Sequence, residues 1–193
     1  MEGNDQMIID FAEYRLSEKS SFQYRANELT KNLESAYSEE FKVRQRLKKR
    51  HPLIKQLGSQ LNKSYERNGL IHTFRRDCLY VSVSKNHKSR FLRMIETFIT
   101  MIELRGHSIK PGHKKSSITV KGQTFGIRFI EKSNRKTVSG GLYPSTTLMP
   151  NGKLSIKVTV SWRDKEWIDG YHSLEENLPK ILAYLASQRV IFF

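Results

Sequence analysis

Apolar positions along this chain change period several times. Phe22, Ala26, Leu29, Leu33 and Ala36 are spaced 4, 3, 4, 3, and the register runs on through Val43, Leu47 and Ile54. That is one face of a helix of about eight turns, with Ser20 or Ser21 as its N-cap. Pro52 marks its break, because the residue before a proline avoids helical backbone angles. A short amphipathic helix is predicted over 6–16, with Ile8, Phe11 and Ala12 on one side. Another is predicted over 53–62, finished by Asn68-Gly69.

The period then falls to two. Residues 78–84 alternate Leu79, Val81 and Val83 with Cys78, Tyr80 and Ser82, a strand with one apolar face. Phe91, Ile95, Phe98, Ile99 and Ile102 restore the helical spacing over 86–105, and Gly106 closes that helix. A short strand at 107–110 and a turn at 111–115 follow. Strands 118–120 and 125–130 form a hairpin through Lys121-Gly122-Gln123. Residues 133–152, rich in Ser, Thr, Gly and Pro, read as a long loop. Leu154, Ile156, Val158 and Val160 define the clearest strand, over 153–162. After a turn at Asp169-Gly170, Leu174, Leu178, Ile181 and Leu185 mark a last helix, with Ser173 and Glu176 as a capping box and Pro179 as a kink or restart.

This order predicts an α+β fold: an N-terminal helical region, then a mostly antiparallel sheet of about four strands with two amphipathic helices packed on one face. The domain boundary is expected between 69 and 70, giving a helical region over 1–69 (acidic head 1–40, basic helix 41–50) and an α+β domain over 70–193. The stripe along 21–50 also suits a homodimer seam or a protein partner.

Charge changes the picture more than composition does. Residues 1–40 hold 4 basic and 9 acidic side chains, whereas residues 41–150 hold 24 basic and 5 acidic ones. A mixed surface scatters its signs; a segment this one-sided is suited to a polyanion, and nucleic acid, DNA first, is the expected partner. Three clusters carry that expectation. Arg44, Arg46, Lys48, Lys49 and Arg50 lie in KVRQRLKKR, six cations in nine residues. Lys88, Arg90 and Arg93 crowd the start of the 86–105 helix, where the aligned peptide dipoles already present positive charge, so an anion is expected there. Lys114 and Lys115 precede the hairpin and Arg135 and Lys136 follow it, which brings both pairs to one end. Such contacts hold phosphates and read no bases.

Catalytic signatures are missing from the sequence. A restriction-type nuclease needs Asp on one strand and Glu-x-Lys on the next, but Glu131-Lys132 has no spacer and residues 104–130 contain no acid. Six His and a single Cys show no zinc spacing, and no phosphate-binding glycine loop occurs. Asp164, Glu166 and Asp169 sit beside Arg163 and Lys165 and read as solvated acids. Trp162, Trp167 and Tyr171 are candidates for base stacking, with core packing the simpler expectation for Trp162. Cys78 reads as a small buried hydrophobe. The lone cysteine fits a reducing cytoplasm, and no apolar run approaches the ~18 residues of a membrane span. No cofactor or metal is expected.

Arg90, Glu103 to His107, Gly122, Gly152 to Leu154, Trp167 to Gly170, and Leu174 with Glu175 resemble the pattern of a family of uncharacterised bacterial proteins. Its marks are a helix ending in Glu-x-x-Gly-His, a Gly-centred hairpin, a Gly-x-Leu strand and a Trp-x-Asp-Gly turn; His51 to Leu53 matches its His-Pro-Leu. The likeness spans roughly 41–186 and implies a bacterial α+β module without a catalytic signature. Many members carry a helix-turn-helix-like segment ahead of it. This sequence lacks that segment, and it is the basic clusters that give the reading: a non-catalytic nucleic-acid-binding protein, with an accessory subunit of a larger complex, using the N-terminal helices, as the alternative.

Overall fold

The computed structural model describes residues 21–33, 35, 39, 41–46, 50–73, 75–138, 145–160 and 163–188. In chain order these form α1 (21–33), α2 (Pro52–Lys63), β1 (Glu66–Arg67), β2 (Leu70–His72), β3 (Val81–Val83), α3 (Lys88–Leu104), β4 (Ser108–Lys110), β5 (Ser116–Val120), β6 (Gln123–Val138), β7 (Ser145–Val160), β8 (Arg163–Ile168) and α4 (Leu178–Ser187). The chain divides into two compact units, Glu39–Leu178 and Met1–Ser38 with Pro179–Phe193. Among the described residues no helix is long and apolar enough to cross a membrane.

In the smaller unit, Phe22 of α1 meets Tyr184 of α4 edge to face, with ring centroids 5.8 Å apart. Exposed pairs one turn apart support α1: Gln23 donates to Asn27 and Tyr24 to Glu28. Ile181, Ala183 and Leu185 of α4 are buried. Pro179 is the second residue of α4, a place where its missing N–H has no intrahelical partner to lose, so the proline restarts the helix. The predicted helix over 6–16 lies outside the described residues.

The helix expected to continue to Ile54 does not: residues 41–46 form a turn and bends. Like charges one turn apart explain this, since a helix would align Lys42 with Arg46 and Arg46 with Arg50 and no acid intervenes. A single dimer seam along 21–50 is interrupted with it. Pro52 opens α2 instead of closing its predecessor, and the His51 ring Nδ1 caps it by accepting the Leu53 N–H at 3.2 Å.

The larger unit is built on one mixed sheet of eight strands. The expected four-strand, mostly antiparallel sheet is too small, and β3 runs parallel to β6, pairing Val81 with Phe129. Strand β6 is the hub. Its residues Gly126 and Ile127 pair with β5 and β7 together, and Phe129 and Ile130 pair with β3 and β7 together. β7 therefore fills one edge of β6, while β5 and then β3 share the other. The edge strand β1 turns into β2 through Asn68 (φ 52°) and Gly69 (φ 76°). The expected domain boundary at 69/70 falls inside that hairpin.

Alternation fixes two faces. Phe129 packs edge to face on Phe91 and Phe98 of α3, so Phe125, Ile127, Val81, Val83, Leu154, Ile156 and Val158 share the face that α3 covers. Tyr80, Ser82, His72 and Leu70 belong to the opposite face.

The predicted loop over 133–152 is a ladder. Ser133–Val138 pairs with Ser145–Pro150, so β6 and β7 extend as a two-stranded ribbon beyond a bulge at Lys132 and Asn151–Lys153. Gly152 (φ 81°) provides the left-handed residue at that bulge.

Candidate functional site

Three elements converge at the base of the ribbon: the C-terminal turn of α2, the β1–β2 hairpin, and the first rungs of the ribbon. They enclose an open groove of about 890 Å³. Gly69 makes the junction possible. A β-carbon there would come within 2.7 Å of the Pro150 ring, and its positive φ disfavours any other residue. Pro150 thereby rests on the hairpin turn, two residues from Leu148 of the groove lining.

The groove is lined by Lys63, Arg67, Arg75 and His72 with Tyr65 and Tyr80, and no acid is among its described lining residues. Local chain geometry accounts for this. Lys63 is the last residue of α2, where a cation complements the helix dipole. Alternation along the extended segment turns Tyr65 and Arg67 into the groove and sends Glu66 outward to Lys85, 3.0 Å away. Lys63, Arg67 and Arg75 are exposed and form no ion pair with any described acid. Tyr65 is 95% exposed. Burial first, then the Arg67 charge, holds the His72 imidazole below its ordinary value. Leu70, Leu148 and Ser133 also line it.

Of the residues singled out in the sequence, Arg135 joins this surface. It pairs with Leu148 and sits two residues from Ser133, and all three share one ribbon face. Lys136, the next residue, is on the reverse face. Lys88 reaches the side chain of Asn62, the residue before Lys63, and is not among the groove's lining residues. Lys114 and Lys115 are exposed ahead of β5 but do not line the groove, and Lys115 lies along Gly126. Arg44, Arg46 and Arg50 are exposed and precede α2, a helix of 12 residues and about 18 Å, whose other end forms the groove. The three expected clusters do not all line one groove. Lys48 and Lys49 lie outside the described residues.

The anion expected at the start of α3 is the protein's own. Glu131, 1% exposed, accepts the Ser84 N–H at 2.7 Å and the Gly152 N–H at 3.2 Å, and its Oε1 is 3.1 Å from the His87 Nδ1. Arg90 is not a free phosphate ligand. It donates through both Nη atoms to Asp169 at 2.8 and 2.9 Å and through Nε to Glu175 at 2.8 Å. Asp169 also accepts the N–H groups of Leu154 and Leu174. Burial would raise the Asp169 carboxyl, but the Arg90 and backbone hydrogen bonds and the Arg90 charge hold it below the usual carboxylate range. Arg93 is half-buried on α3 with no acidic partner among the described residues.

Other candidates fall away on the same grounds. Cys78 is buried, and burial followed by the Asp77 charge pushes its thiol up to about 11, away from a thiolate. Asp164 pairs with Lys157 at 2.6 Å and Glu166 with Lys132 at 3.1 Å. No described group of His, Cys, Asp and Glu is arranged to hold a metal ion. Tyr171 is 99% exposed, yet its surroundings are acidic: Asp169 and Glu175 hold Arg90 nearby, and His172 pairs with Glu176. Trp167 lies under Lys165, 5.2 Å from its ring, and Trp162 is outside the described residues.

Lys63, Tyr65, Arg67 and Arg75 were missed in the sequence. The available signal was a tyrosine set between cations in KSYERNG, obscured by Glu66. No family model, curated protein or solved structure matches this chain.

Proposed function

We propose that this chain is a non-catalytic nucleic-acid-binding protein that holds DNA through its phosphate backbone, with the groove at the ribbon base as the contact surface. The observation that supports it is the lining: three exposed cations without a carboxylate partner among the described residues, beside the exposed ring of Tyr65, in a molecule whose other cations are in several cases ion-paired. Unpartnered cations held close together repel one another and attract a polyanion. Lys63, Arg67, Arg75 and Arg135, with Lys88 bonded to Asn62 next to Lys63, offer about five phosphate contacts, and affinity should fall roughly 10²–10³-fold between 50 and 200 mM salt.

Fluorescence anisotropy with unrelated labelled DNA sequences tests this. Steep salt dependence with little sequence preference is the expected result. Absent or salt-independent binding overturns it and favours the accessory-subunit alternative.

A further inference from the structure

We infer that the groove receives a single-stranded nucleic acid, with a base stacked on Tyr65 and the adjoining phosphates taken by Lys63, Arg67 and Arg75. This rests on the nucleic-acid reading above and specifies the form of the polymer. A ring exposed to 95% leaves apolar surface in water, and here it shares a groove with three cations and no acid among the described lining residues. An aromatic face in such a setting gains most from another flat π-system that carries negative charge beside it, and a nucleotide is that combination. In a duplex both faces of an internal base are already stacked, so the ring is useful to a base only when the strand is open.

The neighbourhood supports the choice. Glu66, the one acid in this stretch, is held away by Lys85, so the strand that carries Tyr65 presents an aromatic and a cation on the same side. Leu70 and Leu148 add apolar lining for a base edge, and Leu148 stays 46% exposed. Tyr171, equally exposed, packs edge to face on His172, and the cations Arg90 and His172 near it in the chain are already paired with Asp169, Glu175 and Glu176, so the phosphate half of this arrangement is taken up by the protein's own acids.

The test compares three labelled probes of equal length: a thymidine strand, its duplex, and a strand of abasic sugar-phosphate. A uridine strand in parallel distinguishes DNA from RNA as the source. The thymidine or uridine strand should bind more tightly than the duplex and the abasic strand. Tyr65→Ala should weaken the base-bearing strand about 5- to 150-fold and leave the abasic strand unchanged, while Tyr65→Trp should preserve binding. Tyr65 is almost fully exposed, so its replacement leaves the fold intact; circular dichroism checks this. A duplex preference with a silent Tyr65→Ala overturns this inference and leaves the phosphate-binding reading standing. Failure to bind any probe overturns both.

Discussion

Arg90 shows how a cation that looks spare in the sequence can be committed to the fold. Its guanidinium ties the first turn of α3 to Asp169 and Glu175 across 79 and 85 residues of chain. Arg90→Ala leaves two carboxylates without their shared partner. The expected loss is about 2–3 kcal/mol, below the ~3–5 of a fully buried pair because Arg90 is 31% exposed. Arg90→Lys cannot reproduce the two forks and should recover little. Thermal unfolding reads both, and binding to nucleic acid should be unchanged once the protein is folded. The Asp169 carboxyl is held below its ordinary value, so its contribution is present above about pH 4 and lost as pH falls through the lower native value. Arg90→Ala should therefore flatten the acid limb of the stability curve.

His72 gives a prediction of a different kind. Burial and Arg67 keep it neutral near pH 7, and a bound phosphate raises its proton affinity. Affinity should then rise as pH falls from about 7 to 5.5. The native state prefers the neutral ring, so stability declines over the same range, below about pH 6.5. His72→Gln should remove the increase in affinity on acidification. An unchanged pH profile in that variant would show that the imidazole takes no part.

At the scale of elements, the ribbon and the edge hairpin are coupled through Gly69. Gly69→Val forces a β-branched residue into a left-handed conformation and drives its side chain into Pro150. It should cost more than about 1–2 kcal/mol, and it should weaken nucleic-acid binding without removing any charge. Full retention of affinity would detach the groove from the ribbon.

Period-2 and period-3.6 patterns made β3, α3, β5, the first half of β6, much of β7 and α4 legible in the sequence. The ribbon was hidden because Ser, Thr and Pro suggest a loop, although Thr137 faces Thr146 in a ladder that suits β-branched residues. β1, β2 and β8 are short edge or outer strands, and Glu66-Arg67 and Arg163–Ile168 are too polar to show an apolar face. The residues that carry the family resemblance find a structural explanation. Arg90, Leu154, Asp169, Leu174 and Glu175 meet at one node of hydrogen bonds, Gly152 closes the Glu131 pocket, and His51 caps α2.

For the whole molecule, charge counted along the chain was a good guide to sign and a poor one to location. Pairing decides which cations remain available, and pairing is a property of the folded chain. Lys132 and Arg90, prominent in the basic middle, are occupied by Glu166 and Asp169, and Lys157 beyond it by Asp164, whereas Lys63, Arg67 and Arg75 are left facing a groove. Arg44, Arg46 and Arg50 remain exposed on the chain that precedes α2. Their joint replacement by Ala should lower affinity less than replacement of the groove cations, a comparison that a common salt concentration makes fair.

The most direct measurement is the slope of log affinity against log salt for a thymidine strand, taken on the natural protein and on the Lys63→Ala/Arg67→Ala/Arg75→Ala variant. Three lost contacts should reduce a slope of roughly −3 to −4 by about 2. A variant whose slope and affinity match those of the natural protein would contradict the assignment of the groove.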